Sequence, residues 1–450
     1  VCDACDRGEF KLADPPPLCE NHDDLIPSHA DSNGDLEMSL LLLSRGELLD
    51  PMQPALTGTH DVLIEEGVIR EVSASPIHSP SARVINLSGR TVMPGLIDLH
   101  VHVLATQLNL NTQGVLPDAL VMYRALPIMK AMLRRGFTTV RDAGGAGWGI
   151  KCAVEEGSAV GPRLFISGHA LSQTGGHGDP RPRSDHLRPM NLCGCCFRAG
   201  EISRVADGVD EVIRAVRQEL QMGADQIKIM ASGGVASPTD PIAALGYSDD
   251  EIRAIVAEAR ARQTYVMAHS YTAEAIARAV SLGVRTIEHG NLIDDAAAQV
   301  MRQHGAYAVP TLVTYEALAL EGAQYGLPPE SVEKIGSVKE AGLGSLEIFK
   351  RNGVSMGYGS DLLGPSQRLQ SEEFRIRAQV LSNQEVIQSA TTIAAEVLQR
   401  VGQLGRLQPG AMADVLAVDG DPMRDLSCLS GQGERIPLVI KGGVVQFNEL

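Results

Sequence analysis

The stretch LIDLHVHV, residues 96–103, decides the fold. It reads as a buried strand entered through Pro94-Gly95, yet it carries His100 and His102 one residue apart. Residues i and i+2 of a strand share a face, so both imidazoles point the same way. Two nitrogens on one face begin a metal site but do not complete it. Taken singly, such a pair is more often chance than function. Its meaning depends on what the rest of the chain sets beside it.

From about 94 to 400 the chain alternates apolar runs with amphipathic ones. After LIDLHVHV the runs are TTVRDAGG (138–145), RLFISGHALS (163–172), QIKIMASGG (226–234), YVMAHSYT (265–272), RTIEHGN (285–291), AYAVPTLV (306–313) and VSMGYGSD (354–361). The intervening DEVIRAVRQELQMGA (210–224), DEIRAIVAEARARQ (250–263) and AEAIARAVSLGV (273–284) have helical periodicity. Gly136, Gly223, Gly283, Gly305 and Gly353 stand just before the next strand, where helices end. Eight β/α units in about 270 residues predict an α/β fold, a (β/α)8 TIM-type barrel over 93–404. Alternation alone also allows a doubly wound sheet, because periodicity does not reveal closure.

Both flanks read as short strands and turns, in HDVLIEEGVIREVSA and ARVINLSGRTV at one end and MADVLAVDGDP and PLVIKGGVVQF at the other. They predict one small β-sandwich domain made of 38–92 and 405–450, with hairpin turns at Gly67 and Gly89. Residues 1–37 differ in kind. Ten acids stand there against Arg7 and Lys11, a net −8 that is half the formal −16 of the chain. With the Pro15-Pro16-Pro17 run, this composition predicts disorder, and Met38 could itself be a natural start. Cys2, Cys5, Cys19 and His22 have zinc-ligand spacing, but no strand or helix pattern surrounds them, so the unstructured reading is preferred.

At 44% hydrophobic and 21% charged, with mean hydropathy near zero, the 450 residues read as a soluble globular chain. The −16 charge argues against a nucleic-acid partner, which needs clustered Lys and Arg. No apolar run approaches the roughly 20 residues that span a bilayer, so no membrane partner is expected. Eight cysteines do not make a disulfide scaffold, and a cytoplasmic location is the default. Copies of the chain are expected to associate as a homo-oligomer through the outer apolar surface, although no segment specifies it.

The polar residues that interrupt the apolar runs then form a set: His100 and His102 on the first, Lys228 on the fourth, His269 on the fifth, His289 on the sixth and Asp361 ending the eighth. Each has a dull explanation alone, as a core histidine, a snorkelling lysine or a helix cap. Six metal-competent groups at one end of one barrel are hard to obtain by chance. Hydrolysis of an unactivated amide needs hydroxide at neutral pH and a Lewis acid on the carbonyl, and two divalent metals can divide those tasks. His100, His102 and Asp361 would hold one ion and His269 and His289 the other. Burial would lower the Lys228 pKa, and its amine could react with CO2 to give a carbamate that bridges the pair. A metal-bridging hydroxide would attack the carbonyl. Asp361 is the natural catalytic group, a general base that takes the proton of that hydroxide and passes it to the leaving nitrogen. A non-catalytic relative would have lost Asp361 or Lys228, and neither is lost.

These residues resemble the amidohydrolase superfamily: PGLIDLHVH, the strand-four lysine, two later strand-end histidines, GSD, and the flanking MPGLIDLH and GRLQPGAMADVLAVDGDP. The resemblance covers about 38–450. ALSQTGGHGD (170–179), GADQIKIMASGGVASPTDP (223–241) and RTIEHGN are similar to the branch of metal-dependent Xaa-Pro dipeptidases (prolidases). Small-peptide carboxypeptidases and ochratoxin-hydrolysing amidases lie nearby, and imidazolonepropionases are related. The branch implies two zinc ions, carboxylated Lys228 and cleavage of an amide beside a free C-terminal carboxylate. The expected substrate is thus a small peptide or N-acyl amino acid, with Xaa-Pro preferred. Other dipeptides, ochratoxin-type amides and cyclic amides are the alternatives. Candidate substrate-binding residues are His177 in GGHGD, Arg141 in TTVRD and Tyr271 in AHSYT. Their bland readings are loop solvation, a structural ion pair and wall packing. The loop NLCGCCFRAG (191–200) with Cys193, Cys195 and Cys196 reads as lid-like rather than as a further metal site.

Overall fold

The computed structural model of the chain describes residues 40–114, 116–181, 199–235, 240–324 and 329–450. The acidic stretch 1–37, with Cys2, Cys5, Cys19 and His22, lies outside the described residues, as do Cys193, Cys195 and Cys196.

The strands in chain order begin with β1 (Leu41–Leu48), β2 (Thr59–Glu65), β3 (Val68–Ser73), β4 (Arg83–Asn86) and β5 (Thr91–Pro94). The middle of the chain adds β6 (Leu96–Val101), β7 (Phe137–Asp142), β8 (Arg163–Ile166), β9 (Ala170–Ser172), β10 (Ser203–Val205), β11 (Ile227–Met230), β12 (Val266–Thr272), β13 (Thr286–Leu292) and β14 (Tyr307–Val309). The far end contributes β15 (Val415–Val418), β16 (Leu438–Lys441) and β17 (Val444–Asn448).

Strands from both chain ends share one sheet, in the order β17-β16-β15-β5-β1-β2-β3 with β4 also on β1. Its inner residues are aliphatic, among them Leu41, Leu43, Val62, Ile64, Ile85, Val415 and Ile440, and they form an apolar cluster of their own. Glu66 and Gly67 both have positive φ (49° and 79°), as a two-residue hairpin between β2 and β3 requires. Gly89 makes no hairpin. β4 and β5 run parallel to β1 one after the other, so the turn at Gly89 steps along β1 instead of reversing the chain.

The middle strands are all parallel, in a set β6-β7-β8 and a set β10-β9-β11-β12-β13-β14. Seven of the eight expected runs contain strands, and the third is broken into β8 and β9 around Gly168, whose φ is 64°. The eighth, 354–361, is extended but carries only an isolated bridge between Met356 and Ala308. Its backbone still bonds both neighbours: Ala308 N–H donates to Ser355 O (3.0 Å), Leu99 N–H to Tyr358 O (2.8 Å) and Asp361 N–H to His100 O (2.8 Å). Close packing explains its glycines. A Cβ on Gly357 would fall 2.3 Å from Leu99, and one on Gly359 2.6 Å from Val309. At the other edge, Ile229 of β11 pairs with Leu171 of β9, and Asp225 N–H donates to Ile166 O (2.7 Å). β10 was not foreseen; its three half-buried residues lack a strand-length pattern.

Helices Val209–Gln221, Asp249–Ala261 and Ala273–Ser281 match the expected segments, the first two starting one residue earlier. Ser248 and Glu251 close a capping box at the start of the second, and Thr272 accepts from Ala275 N–H at the start of the third. Each lays apolar residues such as Val212, Val216, Ile252, Ile255, Ile276 and Val280 on the strands, where they join one continuous core. No described helix is long and apolar enough to cross a membrane.

Candidate metal and substrate site

The parallel strands turn their C-terminal ends toward one place. His100 comes from β6, Lys228 from β11, His269 from β12, His289 from β13, and His102 and Asp361 from the residues that follow β6 and the extended 354–361 segment. All four histidines and Lys228 are buried. His289 and Asp361 have positive φ (74° and 50°), a left-handed conformation that costs a side-chain-bearing residue about 1–3 kcal/mol. The surrounding structure must hold them there. Thr286 and Glu288 share one face of β13, as alternation along a strand demands, and the Thr286 hydroxyl donates to Glu288 (2.5 Å). The turn in the backbone at His289 breaks that alternation and brings its ring to Asp361 as well.

Asp361 is the meeting point. Its Oδ1 lies 3.4 Å from His100 Nε2 and 3.3 Å from His102 Nε2, and its Oδ2 lies 3.9 Å from His289 Nδ1. The tightest ligand-competent group is His100, His289 and Asp361, with one ligand atom of each within 4.8 Å of the others. That grouping crosses the division expected from sequence, which set His289 with His269. The His269 ring stands 4.6 Å from His289, and the His177 ring stacks on His269 at 4.4 Å.

The hydrogen bonds test whether metals fit. His100 Nδ1 donates to Glu288 (2.8 Å), and His102 Nδ1 donates to Gly144 O (2.8 Å). As neutral rings both would then turn Nε2 lone pairs toward a carboxylate oxygen, an arrangement that calls for a cation between them. Burial works against charge on His102, but Asp361 and then Asp142 push its pKa up. Burial likewise opposes ionisation of Asp361, yet His100, His102 and His289 hold it well below the ordinary carboxylate range. His289 and His269 are pushed well down, first by burial and then by neighbouring cationic groups, although Asp361 partly offsets this at His289. Neutral imidazoles are what a metal takes. Burial also pushes the Lys228 amine down to about 8, against the pull of Glu288 and Asp361. Its Nζ hydrogen-bonds none of the described residues, and a pKa of about 8 leaves a minor neutral fraction at neutral pH. The donor set fits divalent metals.

Besides Arg141, which the sequence offered as a substrate-binding candidate, several residues that support the site escaped the sequence reading. Arg141 places all its donors on Leu99 O (2.7 Å), Tyr265 (3.4 Å), Thr286 (3.2 Å) and both oxygens of Glu288 (2.9 and 3.0 Å). It is fully buried behind His100, and its contacts are those of the bland reading, an ion pair with an acid. Glu288 is held down to about 2: burial would raise it, but Arg141 and His100 prevail. Asp98 accepts from His100 N–H (3.0 Å), the Ser360 hydroxyl (2.6 Å) and Gln370 (2.9 Å), tying β6 to the segment that ends in Asp361. Glu373 accepts from Val313 N–H (2.7 Å), while Arg377 donates to Pro310 O (2.6 Å) and to Glu373 (2.8 Å). Together they clamp residues 310–313 on both sides of Thr311, whose hydroxyl meets His289 Nδ1 at 2.8 Å. The other two substrate candidates stand beside the histidines. His177 Nδ1 lies 3.5 Å from Asp240, and a side chain on Gly234 would collide with the His177 ring. Tyr271 packs against His269 (4.9 Å) and His289 (5.3 Å), and its hydroxyl meets that of Tyr315 at 2.9 Å.

Residues 91–445 match the amidohydrolase family. A crystal structure of an amidohydrolase is 66% identical with a TM-score of 0.90, covering 92% of this chain and 100% of that one. A prolidase solved in complex with N-methylphosphonate-L-proline is 57% identical with a TM-score of 0.88, covering 90% and 99%. Ochratoxinase from Aspergillus niger is 32% identical over 362 residues, 78% of this chain and 75% of that protein. The strand-end histidines, the buried lysine and the aspartate that gathers them thus sit in a chain that belongs to the amidohydrolase family of hydrolytic enzymes.

Proposed function

We propose that the chain is a binuclear metal-dependent Xaa-Pro dipeptidase, cleaving the amide beside a free C-terminal carboxylate. One observation carries the substrate: the 57% identity, over 90% of the chain, to a prolidase crystallised with a proline phosphonate. His100, His102, Lys228 as its carbamate, His269, His289 and Asp361 would hold two divalent ions, zinc by preference. Such ions supply hydroxide at neutral pH and polarise the scissile carbonyl. The chain's residues do the rest. Asp361, kept ionised by the histidines around it, accepts a proton at its carboxylate and returns it to the leaving nitrogen. His177 and Tyr271, beside His269, would meet the substrate carboxylate. Arg141 is the weakest of the three candidates, because its donors are already engaged.

The same reading takes the middle strands as one closed barrel over 93–404, supported by backbone bonds from 354–361 to both β14 and β6. The shared sheet of 38–92 and 405–450 would be a small companion domain of sandwich type, supported by its separate apolar cluster. A cytoplasmic homo-oligomer completes the proposal. A second substrate reading, hydrolysis of ochratoxin-type aryl amides, is favoured by the 32% identity to ochratoxinase.

The test is amino-acid release by zinc-loaded protein from Xaa-Pro, Xaa-Arg, Xaa-Phe and N-acyl amino acids, with a chelator control. Chelator-sensitive release dominated by Xaa-Pro is expected. Silence on Xaa-Pro with turnover of an N-acyl aryl amide would overturn the dipeptidase reading. Lys228→Ala should lower zinc content toward one ion or none, and two ions retained would remove the carbamate.

A further inference from the structure

Behind the site runs a line of hydroxyls. His289 Nδ1 meets the Thr311 hydroxyl at 2.8 Å, Thr311 hydrogen-bonds Tyr315, and the Tyr315 hydroxyl meets that of Tyr271 at 2.9 Å. Tyr271, Thr311 and Tyr315 are all buried at 2% exposure or less. Tyr271 and Tyr315 also pack their rings beside His289, at 5.3 and 6.4 Å. The line therefore joins a candidate metal ligand to a candidate substrate-binding residue, with two residues between them that the proposed reaction does not use.

Each hydroxyl has one proton to give, so the line must point one way or the other. Nδ1 is engaged by Thr311 at 2.8 Å and lies at a longer 3.9 Å from Asp361, so the nitrogen left for a metal is Nε2. A metal there needs the Nε2 lone pair, which puts the ring proton on Nδ1. Nδ1–H then donates to Thr311, Thr311 to Tyr315 and Tyr315 to Tyr271. Only the proton of Tyr271 remains unspent, and it is the one left for a substrate carboxylate. In the reverse direction Tyr271 would spend its proton on Tyr315 and offer the substrate carboxylate only lone pairs.

We propose that Thr311 and Tyr315 are positioning residues that carry the hydrogen-bond direction set at His289 Nδ1 through to Tyr271, making Tyr271 a donor to the substrate's terminal carboxylate. This rests on the reading of Tyr271 as part of the carboxylate subsite. It adds that metal occupancy and carboxylate affinity are coupled through a hydroxyl chain.

The experiment uses the full zinc-loaded chain and two readouts. The first is KM and kcat for Ala-Pro and for its C-terminal amide. Tyr315→Phe should raise KM for Ala-Pro about three- to tenfold, more than it lowers kcat, because one neutral hydrogen bond is lost. Tyr271→Phe should cost about ten- to a hundredfold, since its bond is to a charged group. The double variant should be no worse than Tyr271→Phe alone. Ala-Pro amide should lose the discrimination, a readout that general damage to the fold would not spare. The second readout is zinc affinity by competition with a chromophoric chelator. Thr311→Val should weaken one ion about ten- to a hundredfold, with Tyr315→Phe nearer wild type. Additive tyrosine variants, or wild-type zinc affinity in Thr311→Val, would overturn the proposal. If wild-type protein ignores Xaa-Pro, the dipeptidase reading fails by itself. The zinc arm still decides the chain, and the kinetic arm moves to whichever carboxylate-bearing substrate is turned over.

Discussion

The shared end sheet and the strand-end site are buried to a similar degree but by opposite means. The sheet buries aliphatic side chains such as Leu43, Val62, Ile64 and Val415, whose attraction is non-directional and grows with area. The site buries Arg141, Glu288, Asp98 and four histidines, each tolerable only because a specific partner stands at a specific distance, and Lys228, whose amine burial pushes down to about 8. The first kind of interior forgives changes of shape and punishes loss of volume. The second forgives little in charge or direction, and that intolerance fits it to hold a reacting group in one place.

The difference can be broken at its sharpest point by Asp361→Asn, which keeps size and removes ionisation. Turnover should fall by roughly 10²–10⁴ while most zinc stays bound, read by kinetics and metal analysis on one sample. Unchanged activity would end its role as base. Next comes Glu288→Gln, which leaves the Arg141 charge buried without its counterion. A loss of about 3–5 kcal/mol in urea unfolding is expected, together with weaker zinc binding through His100. The same variant sharpens a pH argument. Glu288 is held at about 2 in the fold against an ordinary 4.5, so the folded state binds fewer protons there and is favoured as pH rises. That stability is complete above about pH 4.5 and drains away as pH falls toward about 2. Glu288→Gln should flatten that limb, and an unaltered acid profile would contradict the pairing.

Ile64→Ala tests the other interior. It should cost about 2–5 kcal/mol, comparable to Glu288→Gln, yet leave kcat/KM within about twofold well below the melting temperature. Equal stability losses with opposite effects on zinc would show that the two interiors are separable. Arg217→Ala, on a solvent-exposed pair with Glu258, should leave the urea midpoint essentially unchanged.

What could be read from sequence follows the same divide. His100, His102, Lys228, His269, His289 and Asp361 stood out because each interrupts an apolar run, and the chain folds those runs so that their ends meet. The sheet was legible through alternation at both ends, although Gly89 was misjudged because a turn residue does not say whether its strands pair with each other. The supporting residues were not legible. Glu288 sits beside His289 in RTIEHGN, but its partners Arg141 and His100 are far away in the chain, and nothing local announces them. Thr311 and Tyr315 lie where an aliphatic stretch turns into a helix and look like ordinary wall residues. Left-handed backbone at His289 and Asp361 has no local signature: His and Asp adopt it more often than most side-chain-bearing residues, yet only at a small minority of positions.

The pairing of β5 with β15 has a temporal side. Val92 lies beside Ala417 and Met93 beside Leu416, so strands made early in synthesis wait for strands made near its end. At ribosomal speeds of about 5–20 residues per second, that wait is on the order of tens of seconds. Through it, β1, β2 and β3 can form their hairpins, while the face that will carry β15 stays open to whatever else offers a strand. A nascent chain of this protein is thus a natural client for chaperones that cover sheet edges, and a stop shortly before β15 would leave a nearly complete enzyme with a permanently adhesive flank.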